Sequence, residues 1–202
     1  MAISTRGALT TAVQDFLQRS DITTAMVDYW VEAFEARCNR ELRCPEMEAV
    51  VSSDLDAEWS ALPDDYLQIR ALETDGKVMD YKTPEQFQEL VAASAVPSPA
   101  VFTIADMQLR VLPAPSASST LPVEMLYYSR LPALDASGLS NWLLASHPDL
   151  YLFGTLAEAN MFLQNEPRGS TWNARANQAL QALAAQGRRM SQGAATMTIK
   201  AA

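Results

Sequence analysis

From His147 to Leu163 the chain reads His-Pro-Asp-Leu-Tyr-Leu-Phe-Gly-Thr-Leu-Ala-Glu-Ala-Asn-Met-Phe-Leu, and Leu150, Phe153, Leu156, Ala157 and Met161 recur three or four apart. That spacing predicts a helix of about four turns with an apolar stripe. Leu152, Ala159, Phe162 and Leu163 extend the apolar surface well past a narrow seam. The helix must therefore be covered on most sides by other elements or by a neighbouring copy. Pro148 suits the first turn, where its missing N–H costs nothing, and His147 or Ser146 is the expected cap.

Residues 8–42 share the helical period. Leu9, Val13, Phe16 and Leu17 mark a short amphipathic helix, and Ser20-Asp21 interrupts it. Met26, Val27, Trp30, Val31 and Phe34 mark a second helix running to Asn39 or Leu42, with Thr23 or Thr24 as its cap. Pro45 ends this region, because the residue before a proline is pushed off helical ψ. Between Glu46 and Leu134 the period shortens to two. Residues 49–53, 66–72, 78–81, 101–104, 108–112 and 123–129 read as strands. Thr74-Asp75-Gly76-Lys77 carries the Asp-Gly signature of a tight hairpin, and Thr83-Pro84-Glu85-Gln86-Phe87 reads as a short capped helix.

Pro132 to Ser140 leads back to the helical part. Asn165-Glu166-Pro167-Arg168-Gly169 breaks the long helix, and Trp172, Ala176, Ala179, Leu180 and Leu183 give another toward Gln186. The expected fold class is α+β. Residues 1–44 and 136–187 supply the helices of one bundle, and residues 45–135 form an inserted antiparallel β-sheet unit. Residues 188–202 form a flexible basic tail, with 190–202 expected to order only on a partner.

The 202 residues suffice for a normal core, and 49% hydrophobic with 19% charged residues is ordinary for a folded protein. No run of about eighteen apolar residues suggests a membrane span, and the first residues lack the apolar run of a secretory signal. Synthesis and retention in the cytoplasm is the expectation. Cys38 and Cys44 have neither CxxC spacing nor a histidine nearby, so buried free thiols are expected. The net charge of −9 is unevenly spread. Between Pro45 and Val91 there are twelve acidic and three basic residues, whereas no acid follows Glu166 and Arg168, Arg175, Arg188, Arg189 and Lys200 do. Such opposed regions suit contact between copies or with an acidic partner surface, although a merely solvated tail accounts for the same charges.

Catalytic chemistry finds little support. His147 is the only histidine, so any Ser-His or Cys-His arrangement has one centre, and no Gly-x-Ser-x-Gly accompanies it. His147 and Asp149 are two ligands where a metal site wants three or four, and packing or helix capping is the better reading. The seven glycines form no phosphate-cradling loop. Asp64-Asp65 reads as an acidic turn entering a strand rather than as an acid-base pair. Trp59, Tyr66, Tyr127 and Tyr128 lie in acidic surroundings, which favours packing over stacking on bases. Catalytic, cofactor and metal residues are therefore expected to be none.

Several motifs occur in a distinctive order. They are Trp59-Ser60-Ala61-Leu62-Pro63-Asp64-Asp65-Tyr66-Leu67-Gln68-Ile69-Arg70-Ala71-Leu72, Leu109-Arg110-Val111-Leu112-Pro113-Ala114-Pro115 and Met125-Leu126-Tyr127-Tyr128-Ser129-Arg130-Leu131-Pro132-Ala133-Leu134. Asn141-Trp142-Leu143-Leu144, His147-Pro148-Asp149-Leu150-Tyr151-Leu152 and Leu156-Ala157-Glu158-Ala159 follow. Over about residues 55–185 this resembles the adaptor, or head-tail connector, proteins of tailed bacteriophages and prophages. It departs at Ala105-Asp106-Met107, where many relatives carry a glycine, leaving that turn's type open.

The resemblance implies a structural protein of the virion neck, made in the host bacterial cytoplasm. It implies a ring, expected to be dodecameric, between the capsid portal and a tail or nozzle protein, with DNA passing through without specific binding and without catalysis. On that reading Leu150, Phe153, Leu156, Trp172 and Leu183 are candidates for the subunit interface, and Arg188, Arg189 and Lys200 for a portal-binding tail. The alternatives are a tail-completion or assembly factor outside such a ring and, more remotely, a small hydrolase or metal enzyme centred on His147.

Overall fold

The computed structural model describes residues 3–134 and 140–194. The chain divides into two compact units, one built from residues up to Met47 and from Leu131 onward, the other from Glu48–Arg130. The fold class is α+β.

The first unit is helical. Helices α1 (Arg6–Leu17) and α2 (Thr24–Glu41) are capped by Thr5 and Thr23, whose hydroxyls accept from the Ala8 and Met26 N–H groups. A 3-10 turn, Pro45–Met47, follows. The returning chain adds α4 (Trp142–Ser146), α5 (Pro148–Phe162) and α6 (Glu166–Ala194). Helix α5 is apolar nearly all round, and it is packed against α1, α2, α4 and α6. Leu150, Tyr151, Leu156 and Ala159 are almost completely buried. Gly154 lets the Phe34 ring rest on the α5 backbone, because a Cβ there would stand 2.1 Å from the ring.

Two features of this unit correct the sequence reading. Neither His147 nor Ser146 caps α5 with its side chain. Instead Asn141 caps the short α4, its Oδ1 accepting from Leu144 N–H, and α4 runs into α5 at His147. The expected break between two helices is present but falls at residues 163–165 rather than 165–169, so that α6 starts before Ser170. Pro167 sits in the first turn of α6, where a proline is tolerated, and the helix passes Gly187 to end at Ala194. Residues 135–139 of the return linker and 195–202 of the expected flexible tail lie outside the described residues.

Buried polar contacts hold the return linker. Glu35 on α2 accepts from Leu134 N–H at 3.0 Å and from the Tyr151 hydroxyl at 2.9 Å. Asn141 Nδ2 donates to Tyr151 Oη and to Pro132 O, and Asn39 Oδ1 accepts from Leu131 N–H. Arg6 donates to Leu134 O and pairs with Asp28. Burial pushes the Glu35 carboxyl above its ordinary value of 4.5, and burial followed by the Glu35 charge pushes the Tyr151 hydroxyl up.

The second unit is two four-stranded sheets around one core, rather than a single antiparallel sheet. In one sheet β1 (Glu48–Leu55), β8 (Leu121–Ser129), β3 (Tyr66–Thr74) and β4 (Lys77–Val78) lie side by side, all antiparallel. The other has the order β2 (Trp59–Ala61), β7 (Gln108–Leu112), β6 (Val101–Ala105), β5 (Asp80–Tyr81). The expected strand 78–81 is split between the sheets at the buried Met79. β5 and β6 run parallel because α3 (Pro84–Ala92) carries the chain back between them, starting from a full capping box of Thr83 and Gln86. Leu72, Phe102, Leu109, Val111, Val123 and Met125 are among the residues that fill the space between the sheets.

Both hairpin turns take the primed form. Asp75 and Gly76 have φ of 49° and 71°, and Asp106 and Met107, between the paired Ala105 and Gln108, have φ of 51° and 56°. The turn left open by the missing glycine is thus a two-residue loop with a methionine in the left-handed region. Met107→Gly is expected to raise stability by about 1 kcal/mol, measured by urea unfolding; an unchanged or lower midpoint would refute the strain.

A second expectation concerns Glu35. Glu35→Ala leaves two buried donors unsatisfied and should cost roughly 3 kcal/mol, while Glu35→Gln keeps an acceptor. A carboxyl with a raised folded value binds its proton longer in the folded than in the unfolded chain. Its contribution is complete below about pH 4.5 and is lost as pH rises through the raised value. Stability of the wild type relative to Glu35→Gln should therefore fall as pH rises above about 4.5, and a pH-independent difference contradicts the assignment.

Candidate functional site

In the helical unit, exposed apolar side chains gather where α1, α5 and α6 meet. Phe16, 51% exposed on α1, meets Trp172 edge-on at 5.8 Å, and Phe153 of α5 stacks on the same indole at 5.7 Å. Arg175, one turn after Trp172 on α6, holds its guanidinium 5.0 Å from the Trp172 ring centroid and 5.8 Å from that of Phe153. A hollow of about 330 Å3 beside Phe16 and Trp172 is also lined by Asn160, Arg168 and Thr171. The aromatic rings are partly open to solvent and are bordered by cations. Aromatic and arginine side chains grouped in this way are the residue types enriched at protein interfaces.

The expected interface residues divide. Phe153 and Trp172 lie in this partly exposed cluster. Leu150, Leu156 and Leu183 are 1%, 0% and 4% exposed, enclosed by the unit's own helices, and in this conformation offer no surface to a neighbouring copy. Periodicity marks all five as apolar helix positions but cannot tell a face covered within the chain from one left open. Phe16 escaped notice as a surface residue because it sits beside the buried Leu17. Arg188 and Arg189 are exposed on α6, and Lys200 lies outside the described residues.

The residue types that could carry chemistry have structural employment. Half-buried His147 joins α4 to α5, its carbonyl accepting from Leu150 N–H and its N–H donating to Leu143 O. Asp65 Oδ1 accepts from the Tyr127 hydroxyl at 3.0 Å, and its carbonyl accepts from Arg130 N–H. Tyr66 and Tyr127 stack inside the sandwich, while Tyr128 lies under Arg70. Trp59 is half-exposed. Arg110, held by Glu58, is placed over both the Trp59 and Phe87 rings and so fastens β2 and α3 to the sheet. Among the described residues no three His, Cys, Asp or Glu side chains are grouped to hold a metal ion, and no helix is long and apolar enough to cross a membrane.

Charge differs sharply between the units. Glu48–Arg130 carries thirteen acidic against five basic residues, whereas the rest of the chain carries eleven against ten. A family model described as SU10 adaptor protein matches residues 4–198, which takes in both units. The chain belongs to the SU10 adaptor protein family. It is a phage adaptor protein and thus a virion component, in a family whose role is structural. No curated protein matches the chain.

Burial also governs the two thiols of this adaptor. Cys38 and Cys44 are free and buried, and desolvation pushes both up to about 12. Both should react with a thiol reagent at pH 8 at least about a hundredfold slower than a free cysteine, and at full rate in denaturant. Rapid labelling of the folded chain would show that the α2 end opens.

Proposed function

We propose that this adaptor forms a ring of copies between the capsid portal and the tail, through which the genome passes. The observation that carries the reading is the pairing, in one chain, of an open aromatic cluster bordered by Arg168 and Arg175 with a separate unit holding most of the acidic excess. Two unlike patches of this kind suit a head-to-tail contact, and a head-to-tail contact closes into a ring when its rotation divides the circle. The ring number expected from the family resemblance is twelve.

Phe16, Phe153 and Trp172 supply the apolar centre of the contact between copies, and Arg168 and Arg175 its charged rim. Arg188 and Arg189, exposed near the end of α6, face the portal. A tail or nozzle protein binds on the other side. DNA slides through without specific binding, since surplus carboxylates facing a lumen repel phosphate over about 10 Å at physiological salt.

Electron microscopy of the purified chain, alone and mixed with portal, tests the reading. Closed rings or portal-bound annuli are the expected result, and a chain that stays monomeric with portal present overturns it. Arg168→Glu combined with Arg175→Glu should abolish ring formation while leaving the unfolding midpoint within about 1 kcal/mol of wild type, because both arginines are exposed. Rings formed by that variant would remove the cluster from the interface.

A further inference from the structure

The two sheets of the β unit part along one side. β1 is paired on one flank only, by β8, and β2 on one flank only, by β7. Asp56-Ala57-Glu58 carries the chain from the first of these edges to the second, and a cleft of about 500 Å3 lies beside them. Leu109, Val123 and Met125 of the sandwich core form its floor, while Trp59, 43% exposed, lines it together with the exposed Asp54 and Asp56. The opposite edges, β4 and β5, are joined through the buried Met79. A cleft of this size lies within the range, roughly 300–1,000 Å3, that encloses a bound group.

The charges at this cleft are selective. Glu48 is paired with Arg70 and Glu58 with Arg110, whereas Asp54 and Asp56 take part in no ion pair among the described residues. An apolar floor under two such carboxylates fits a bulky apolar group with cations beside it. The helical unit carries one. Arg168, Trp172 and Arg175 stand four and three apart on α6 and so share one stripe of it. Phe16, 51% exposed, lies against Trp172. Arg168 and Arg175 are exposed, and they too take part in no ion pair among the described residues. Their backbones are two helical turns apart, about 10 Å, and those of Asp54 and Asp56 at most about 7 Å. The long arginine stems accommodate the difference.

We infer that the aromatic cluster of one copy seats in this cleft on the β unit of a second copy. Phe16 enters beside Trp59, and the guanidiniums of Arg168 and Arg175 meet the carboxylates of Asp54 and Asp56. Buried aromatic area supplies the affinity, and the charges choose the face that binds. A second copy is the occupant because sign and number match: two cations flank the exposed rings, and two acids flank the apolar floor. Each copy carries both halves, as a head-to-tail contact requires. The inference rests on the reading that copies of this chain assemble, and it names the surface that the cluster meets.

Reciprocal charge exchange tests it with the full chain. Asp54→Arg/Asp56→Arg should not associate with itself, since cations then face cations, and Arg168→Glu/Arg175→Glu should not either, since acids face acids. An equimolar mixture should form closed rings of alternating copies in the electron microscope, because every junction then joins unlike charges. The neutral Asp54→Asn/Asp56→Asn chain should associate roughly tenfold more weakly than wild type, the scale of two exposed ion pairs. Mild oxidation should also link Ser53→Cys on one copy to Thr171→Cys on another, with Cys38 and Cys44 buried and not competing. If a charge variant fails to fold, that disulfide decides alone.

Wild-type rings whose cysteine variants never link would overturn this inference and leave the ring standing. So would an Asp54→Arg/Asp56→Arg chain that forms rings by itself, or a mixture of two folded charge variants that stays apart. A Ser53→Cys/Thr171→Cys chain that closes on itself in excess wild type would give the cleft to the chain's own cluster and refute the second copy. Wild-type chains that associate neither alone nor with portal would sink both readings.

Discussion

The buried carboxyl of Glu35 is the constraint on which the helical unit depends. It holds Leu134 N–H and the Tyr151 hydroxyl at hydrogen-bond distance, and so joins α2, which precedes the inserted unit, to the linker and helix that follow it. Apolar packing alone would let that linker slide, because the hydrophobic effect is not directional. The polar contacts have one geometry, and Asn39, Asn141 and Arg6 complete it with bonds to Leu131, Pro132 and Leu134. An unmade bond in that setting costs more than a made one contributes. The network therefore specifies one place for the returning chain.

The same closure decides which surfaces are left for partners. Since α5 is enclosed by its own neighbours, its leucines stabilise the protomer, each at roughly the 2–5 kcal/mol that truncation of a buried leucine costs. Among the side chains left outside are those at one rim of that packing, where Phe16, Phe153 and Trp172 meet beside Arg168 and Arg175, and Met161 and Phe162 at the end of α5. On the proposed reading, such a cluster would give an interface desolvated aromatic area without exposing the core. The acidic β unit is folded around its own core.

Some of this was legible in the residues themselves. The amphipathic periods of α1 and α2, the capping box at Thr83, the Asp-Gly hairpin and the change from period 3.6 to period 2 near Pro45 each follow from local sterics and hydrogen bonding, which act over a few residues. Short elements were harder to read. Asn141-Trp142-Leu143-Leu144 has the cap and apolar residues of a helix, but five residues are too few for periodicity to show. Trp59-Ser60-Ala61 is shorter still.

From its own residues the chain determined that it is α+β, that an extended unit interrupts a helical one, and that charge is divided between them. Only the tertiary structure decided that the β unit is two sheets, that β5 joins its neighbour in parallel, and that Leu150, Leu156 and Leu183 face inward while Phe16 does not. The reason is that periodicity reports which side of an element is apolar, whereas the partner that covers that side is chosen by contacts between residues a hundred or more positions apart, such as Glu35 and Tyr151.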